Sequence, residues 1–174
     1  MLDFFKKKPE RSEGVHLLAS ILVCFAEIST ISYEPKDKSL HMTFALQSSV
    51  SQEGFHELTS FLTESIHTYQ LLEGMGGGFV DFSMEVHDEL AFFHVIRDLG
   101  TLSPGELKVI TSIVRNRFEE TLLIDSHVPE QLDPEFAAAQ EEAMEQLFEK
   151  VQTMELHGRL VGVREGNHVV VYDH

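Results

Sequence analysis

The feature that most constrains this chain is an internal match between two of its segments. With an offset of 52, Phe55, Leu58, Thr59, Ser60, Phe61, Leu62 and Ile66 fall on Leu107, Ile110, Thr111, Ser112, Ile113, Val114 and Phe118, and Ser51 falls on Ser103. Upstream, with an offset of 50, Leu40, Met42, Phe44 and Leu46 fall on Leu90, Phe92, His94 and Ile96. A fixed period of this size, with a small slip, is the mark of a duplicated supersecondary unit. The unit reads strand, turn, strand, helix.

Periodicity fills in the elements. Residues 12–27 form an apolar helix with Ser12 as N-cap and Val15, Leu18, Leu22 and Phe25 at helical spacing. Strands follow over 28–34 and 39–47, joined by Glu34-Pro35-Lys36-Asp37-Lys38, where proline presets the turn. A helix over 52–72 carries Phe55, Leu58, Leu62, Ile66 and Tyr69 on one face and stops at Gly74. Gly74-Met75-Gly76-Gly77-Gly78 then links to the second unit. Its first strand alternates Val80, Phe82, Met84 and Val86 with Asp81, Ser83 and Glu85, and its second, 90–97, is apolar on both faces. A strand of that kind needs cover on both sides. Ser103, Pro104 and Glu106 start the next helix with a capping box. A last helix runs from Asp133 to about Met154, and a hairpin over 158–164 and 168–173 turns at Glu165-Gly166-Asn167.

The expected fold is therefore α+β: an antiparallel sheet from two tandem ββα repeats, with an N-terminal helix and a C-terminal helix-hairpin arm. Residues 1–11 read as a flexible tail, 12–127 as the duplicated core domain with its N-terminal helix, and 128–174 as the arm, packed on the core or on a partner chain.

Composition narrows the function. The chain of 174 residues carries a formal charge of −16, which disfavours nucleic acid and anionic membranes as partners. Its only basic cluster is Lys6-Lys7-Lys8. One cysteine, Cys24, rules out an intrachain disulfide framework and, with no convincing export signal, points to a cytoplasmic setting. The apolar run 15–26 is too short for a bilayer, which needs about 20 residues, and Glu10, Glu13 and His16 spoil it as a signal core.

Chemistry is sparse. The Gly linker follows a helix, precedes a strand and lacks the Gly-Lys-Ser/Thr ending of a phosphate cradle, so it reads as a linker. No Gly-x-Ser-x-Gly elbow occurs, and Cys24, read as lying mid-helix among apolar neighbours, is an inert thiol. No catalytic residue and no cofactor is assigned. Ten histidines raise the question of a metal or ligand, and His94, His41, His87 and Asp88 are the candidates. His94 takes the inward slot that Phe44 fills in the first unit, where a core histidine is the plainer reading.

Surfaces stand out instead. The doubly apolar strand and the a/d-spaced seam of the last helix exceed what one small sheet needs. The expected interface is Phe93, Val95, Met144, Leu147, Val151 and Met154, most simply of a two-fold homodimer, with another protein as a further partner. In element order and acidity the chain resembles the small dimeric chaperones of type III secretion, a resemblance of architecture that no motif carries. It implies a non-enzymatic, chaperone- or adaptor-like interaction module. The rival expectation is a metal or small-ligand binder, or an enzyme, with a histidine pocket between sheet and arm.

Overall fold

The computed structural model describes residues 9–124, 134–166 and 168–173, with side chains from Ser12 onward. Residues 1–8 of the expected tail, and the expected boundary between core and arm at 127, lie outside the described residues. The fold is α+β. In chain order the elements are α1 (Pro9–Cys24), β1 (Thr30–Glu34), β2 (Ser39–Leu46), α2 (Gln52–Leu72), β3 (Val80–His87), β4 (Leu90–Asp98), α3 (Pro104–Phe118), α4 (Pro134–Gln152), β5 (Leu160–Glu165) and β6 (His168–Asp173). No helix is long and apolar enough among the described residues to cross a membrane.

Local signals behave as their chemistry dictates. Ser51 and Ser103 each accept a hydrogen bond from the amide three residues on, Gly54 at 3.0 Å and Glu106 at 3.2 Å, which satisfies one orphan donor of each helix. Gly74 adopts φ +67°, a left-handed conformation suited to glycine just past a helix end. The turns into β2 and β4 place Lys38 and Asp88 at φ 54°.

All six strands form one antiparallel sheet in the order β3-β4-β2-β1-β5-β6. The two hairpins meet through β2 and β4, with Met42 opposite Val95 and Phe44 opposite Phe93. The C-terminal hairpin joins through β1, Thr30 opposite Val163. The arm therefore packs on its own chain.

The helices share one face of the sheet. Phe55 of α2 meets Phe93 edge-on at 6.2 Å, and Glu106 of α3 grips Arg97. A side chain on Gly162 would come within 3.0 Å of Leu22 in α1, so the missing Cβ lets α1 lie close against β5. Gln152, closing α4, donates to the carbonyls of Leu99 and Leu102 at 2.9 and 2.8 Å. The core between these layers centres on Phe93, ringed by Phe44, Phe55 and Phe82 at centroid distances of 5.9 to 6.2 Å. Aromatic contacts of this kind add about 0.5–1.5 kcal/mol each beyond the area they bury.

The parity of β4 differs from the sequence expectation. Ala91, Phe93, Val95 and Arg97 face the helices, and Phe92, His94 and Ile96 face away. The inward set of β2, Leu40, Met42, Phe44 and Leu46, thus stands opposite Arg97, Val95, Phe93 and Ala91. Directly opposed residues share a face, so pairing with β2 fixes β4, and a one-residue slip exchanges its two apolar faces. His94 consequently leaves the inward slot.

The expected seam of α4 also closes at home. Met144, Leu147 and Val151 are buried in their own chain, as are Phe93 and Val95, while Met154 is half-buried. Five of the six expected interface residues are core, because α4 packs on α1 and α3. Cys24 also departs from its expected buried place. It is the last residue of α1, not a mid-helix one, and it is exposed.

Candidate functional site

Helices on one side leave the other side of the sheet uncovered among the described residues. Alternation then dictates which side chains it shows. One row runs straight across all six strands: Asp81, Ile96, His41, Ser32, Val161 and Tyr172. The next runs Ser83, His94, Thr43, Thr30, Val163 and Val170. A third, shorter row sets Glu85, Phe92 and Ala45 side by side. The members on β1, β2, β4 and β5 shield one another and are half-buried, whereas Asp81, Ser83 and Glu85 on the edge strand are exposed.

Apolar and acidic side chains dominate this face. Phe92, Ile96, Val161, Val163 and Val170 supply the apolar part. Tyr172 adds its ring: its hydroxyl donates to Glu165 Oε1 at 2.6 Å, although its backbone stands opposite Val161, four residues away. That bond requires the ring to lie lengthwise along the strands. It also raises the Tyr172 pKa above its ordinary value, the hydrogen bond to Glu165 being the largest cause. Asp81, Glu85, Glu34 and Glu165 supply negative charge. Arg159 offers a counter-charge to one of them, 3.6 Å from Glu34.

Two of the candidate histidines lie here, on adjacent strands. His94 Nδ1 is 2.9 Å from Thr43 Oγ1. Its Nε2 is shielded from water, sits 3.4 Å from Glu85 Oε1 and makes no hydrogen bond. His41 Nε2 is 3.0 Å from Ser39 Oγ, which itself donates to Asp37 Oδ1 at 2.6 Å. Because the serine proton is committed to Asp37, His41 Nε2 is the donor in its pair. That is the reverse of a histidine activating a nucleophile. Thr43 stands opposite His94, so His41 and His94 are diagonal neighbours, roughly 7–8 Å apart at Cα. His87 and Asp88 lie farther along, at the β3–β4 turn, both exposed, with His87 Nε2 3.6 Å from Glu85 Oε2. Among the described residues no three His, Cys, Asp or Glu side chains come together in a set able to hold a metal ion.

The strongest polar cluster is one the sequence expectations did not contain. Arg97 is fully buried, and its five donors are all used. Nε and Nη2 reach Glu106 at 2.6 and 2.9 Å, Nη2 also reaches Thr101 at 3.1 Å, and Nη1 takes the Phe79 carbonyl at 2.8 Å and Asp98. Gln70 donates to Glu106 at 3.0 Å. Burial by itself would lower the arginine pKa, but the hydrogen bond and charge of Glu106, with Asp98, more than offset this and raise it. The group is permanently charged and saturated, so it offers a ligand nothing. Its work is to pin the start of α3 and the end of α2 to β4. The sequence signal for it was an arginine closing the alternation Ala91, Phe93, Val95, nine residues before a glutamate at the first turn of a helix.

Two clefts open on the helical side. One, between α1 and α4, is lined by His16, Val23, Cys24, Gln140 and Met144. Partial burial there raises the Cys24 thiol pKa, which keeps it protonated and weakly reactive. The other lies between α2 and α3 beside Phe61, Ile113 and Arg117. Among the described residues, neither is lined by an unpaired buried polar group. Comparison with protein-family models, with curated proteins and with solved structures finds no match for this chain.

Proposed function

We propose that the chain is a non-enzymatic protein-interaction module, adaptor- or chaperone-like, whose working surface is the uncovered face of its sheet. One observation carries this reading: three cross-strand rows hold Phe92, Ile96, Val161, Val163, Val170 and Tyr172 on a face that no described helix covers. Contiguous apolar surface rimmed by polar groups is the usual form of a protein-binding site. The charges define the partner. Asp81, Glu85, Glu34 and Glu165 fit an apolar surface fringed with lysine and arginine, and they disfavour a second, equally acidic face. The reading goes with a cytoplasmic setting, as the single cysteine suggests. We also take the two successive ββα units as a duplication, since each contributes its inner strand to the middle of that face.

The test is capture with three baits: the unaltered chain, Ile96→Asp with Val163→Asp, and Glu145→Lys on the outer side of α4. A protein held by the first and third and lost from the second, and whose purified form binds the face variant at least tenfold more weakly, supports the proposal. Identical captures by all three, with melting curves unchanged, overturn it.

A further inference from the structure

The sheet has two edges, and they differ in kind. β3 borders solvent with Asp81 and Glu85 exposed on it. Just before it, the Phe79 carbonyl is taken by Arg97 and the Phe79 amide by Asp98. Acidic side chains and occupied backbone groups are how proteins blunt an edge. Over His168–Tyr172, β6 has none of these devices. Its residues are His168, Val169, Val170, Val171, Tyr172 and Asp173, without lysine, proline or glycine, and its ladder with β5 runs without a bulge. Among the described residues it is the terminal strand of the sheet, and one side of His168–Tyr172 faces away from β5.

We propose that β6 pairs antiparallel with β6 of a second copy, joining two six-stranded sheets into one. A two-fold axis normal to the sheet keeps outer face beside outer face, so residues that pair must share parity. Centred on Val170, this register sets Val170 against its own symmetry mate, Val169 against Val171 and His168 against Tyr172. No like charges meet, and β-branched and aromatic pairs fill the seam. The ladder adds on the order of four to six backbone hydrogen bonds. The same construction on β3, centred on Ser83, sets Asp81 against Glu85, a like-charge pair that destabilises it. Self-association thus belongs to the β6 edge and not to the α4 seam. It leaves both uncovered faces free and places them side by side. The inference does not rest on what those faces bind.

Light scattering of the full chain at micromolar concentration should give about twice 19.7 kDa. Raised salt should favour the dimer, because it screens repulsion between two chains of −16 each. Val170→Lys brings two ammonium groups together at the axis and should halve the mass with an unchanged circular dichroism spectrum, while Ser83→Lys on the other edge should leave the mass doubled. Hydrogen exchange gives a second reading: amides of residues 168–172 should slow with rising protein concentration, and those of β3 should not. A monomer at all concentrations and salts, a dimer unaffected by Val170→Lys, or β6 amides indifferent to concentration would each overturn the proposal.

Discussion

Arg97 holds both carboxylate oxygens of Glu106, at 2.6 and 2.9 Å, and neither side chain is more than 1% exposed. Removing one partner strands a buried charge, whereas removing both does not. Arg97→Met should therefore cost about 3–5 kcal/mol in chemical denaturation, and the double variant Arg97→Met, Glu106→Leu should recover most of that loss. A double variant as unstable as the sum of the singles would show that the pair is not the source of the cost.

Leu147 is a residue of the single chain's core, 8% exposed. Leu147→Asp buries a carboxylate with no partner, and its effect should be several kcal/mol of lost stability. Loss of dimer mass with the melting temperature intact would contradict the packing of α4 on α1.

His94→Phe exchanges one contact, 2.9 Å to Thr43, for the removal of a shielded and unsatisfied nitrogen. These effects are each about 1 kcal/mol and oppose one another. The variant should melt within a few degrees of the unaltered protein. Added zinc should not raise the melting temperature of either form, because among the described residues no three His, Cys, Asp or Glu side chains form a set able to hold a metal ion.

Tyr33 is buried in the core, and its pKa is raised first by that burial and then by Asp37 and Glu34. A raised folded-state pKa means that the folded chain keeps its proton when the unfolded chain gives it up. The tyrosine's contribution is therefore fully present below the unfolded value of about 10 and is lost as pH climbs through the folded value. Stability measured by urea should fall above about pH 10, and Tyr33→Phe should flatten that fall. At neutral pH the substitution should cost less than about 1 kcal/mol, since its hydroxyl lies 3.5 Å from the Leu156 carbonyl, a weak contact.

The elements and their order were legible in the chain because each is announced locally. Ser103 caps the helix it was expected to cap and Gly74 ends the one it was expected to end, whereas Ser12, expected as an N-cap, lies inside α1, which begins at Pro9. What was not legible depends on contacts far away in sequence. Strand 90–97 is apolar at both parities, so nothing within it says whether Phe92 or Phe93 faces the core; only the pairing of Phe93 with Phe44 decides. The seam of α4 has the spacing of a helix interface, and spacing does not distinguish the chain's own α1 from another chain's. The uncovered face was legible only in part: the second apolar parity of strand 90–97 shows in the chain, but the order of strands in the sheet is what sets it beside the apolar residues of β5 and β6.

Arg164 of β5 donates to the carbonyls of Phe25 and Ile28, just past the end of α1, across 139 and 136 residues. In the same way β1 finds its second neighbour, β5, only after α2, β3, β4, α3 and α4 have passed. On the ribosome the first helix and first strand must therefore wait, with one edge bare and the helix end uncapped, while most of the chain is made. Closure of the sheet is a late event that local structure cannot hurry, since loops of that length must close before their contacts give anything back. A translation pause before residue 160 would hold this protein with the β5-side edge of β1 still bare.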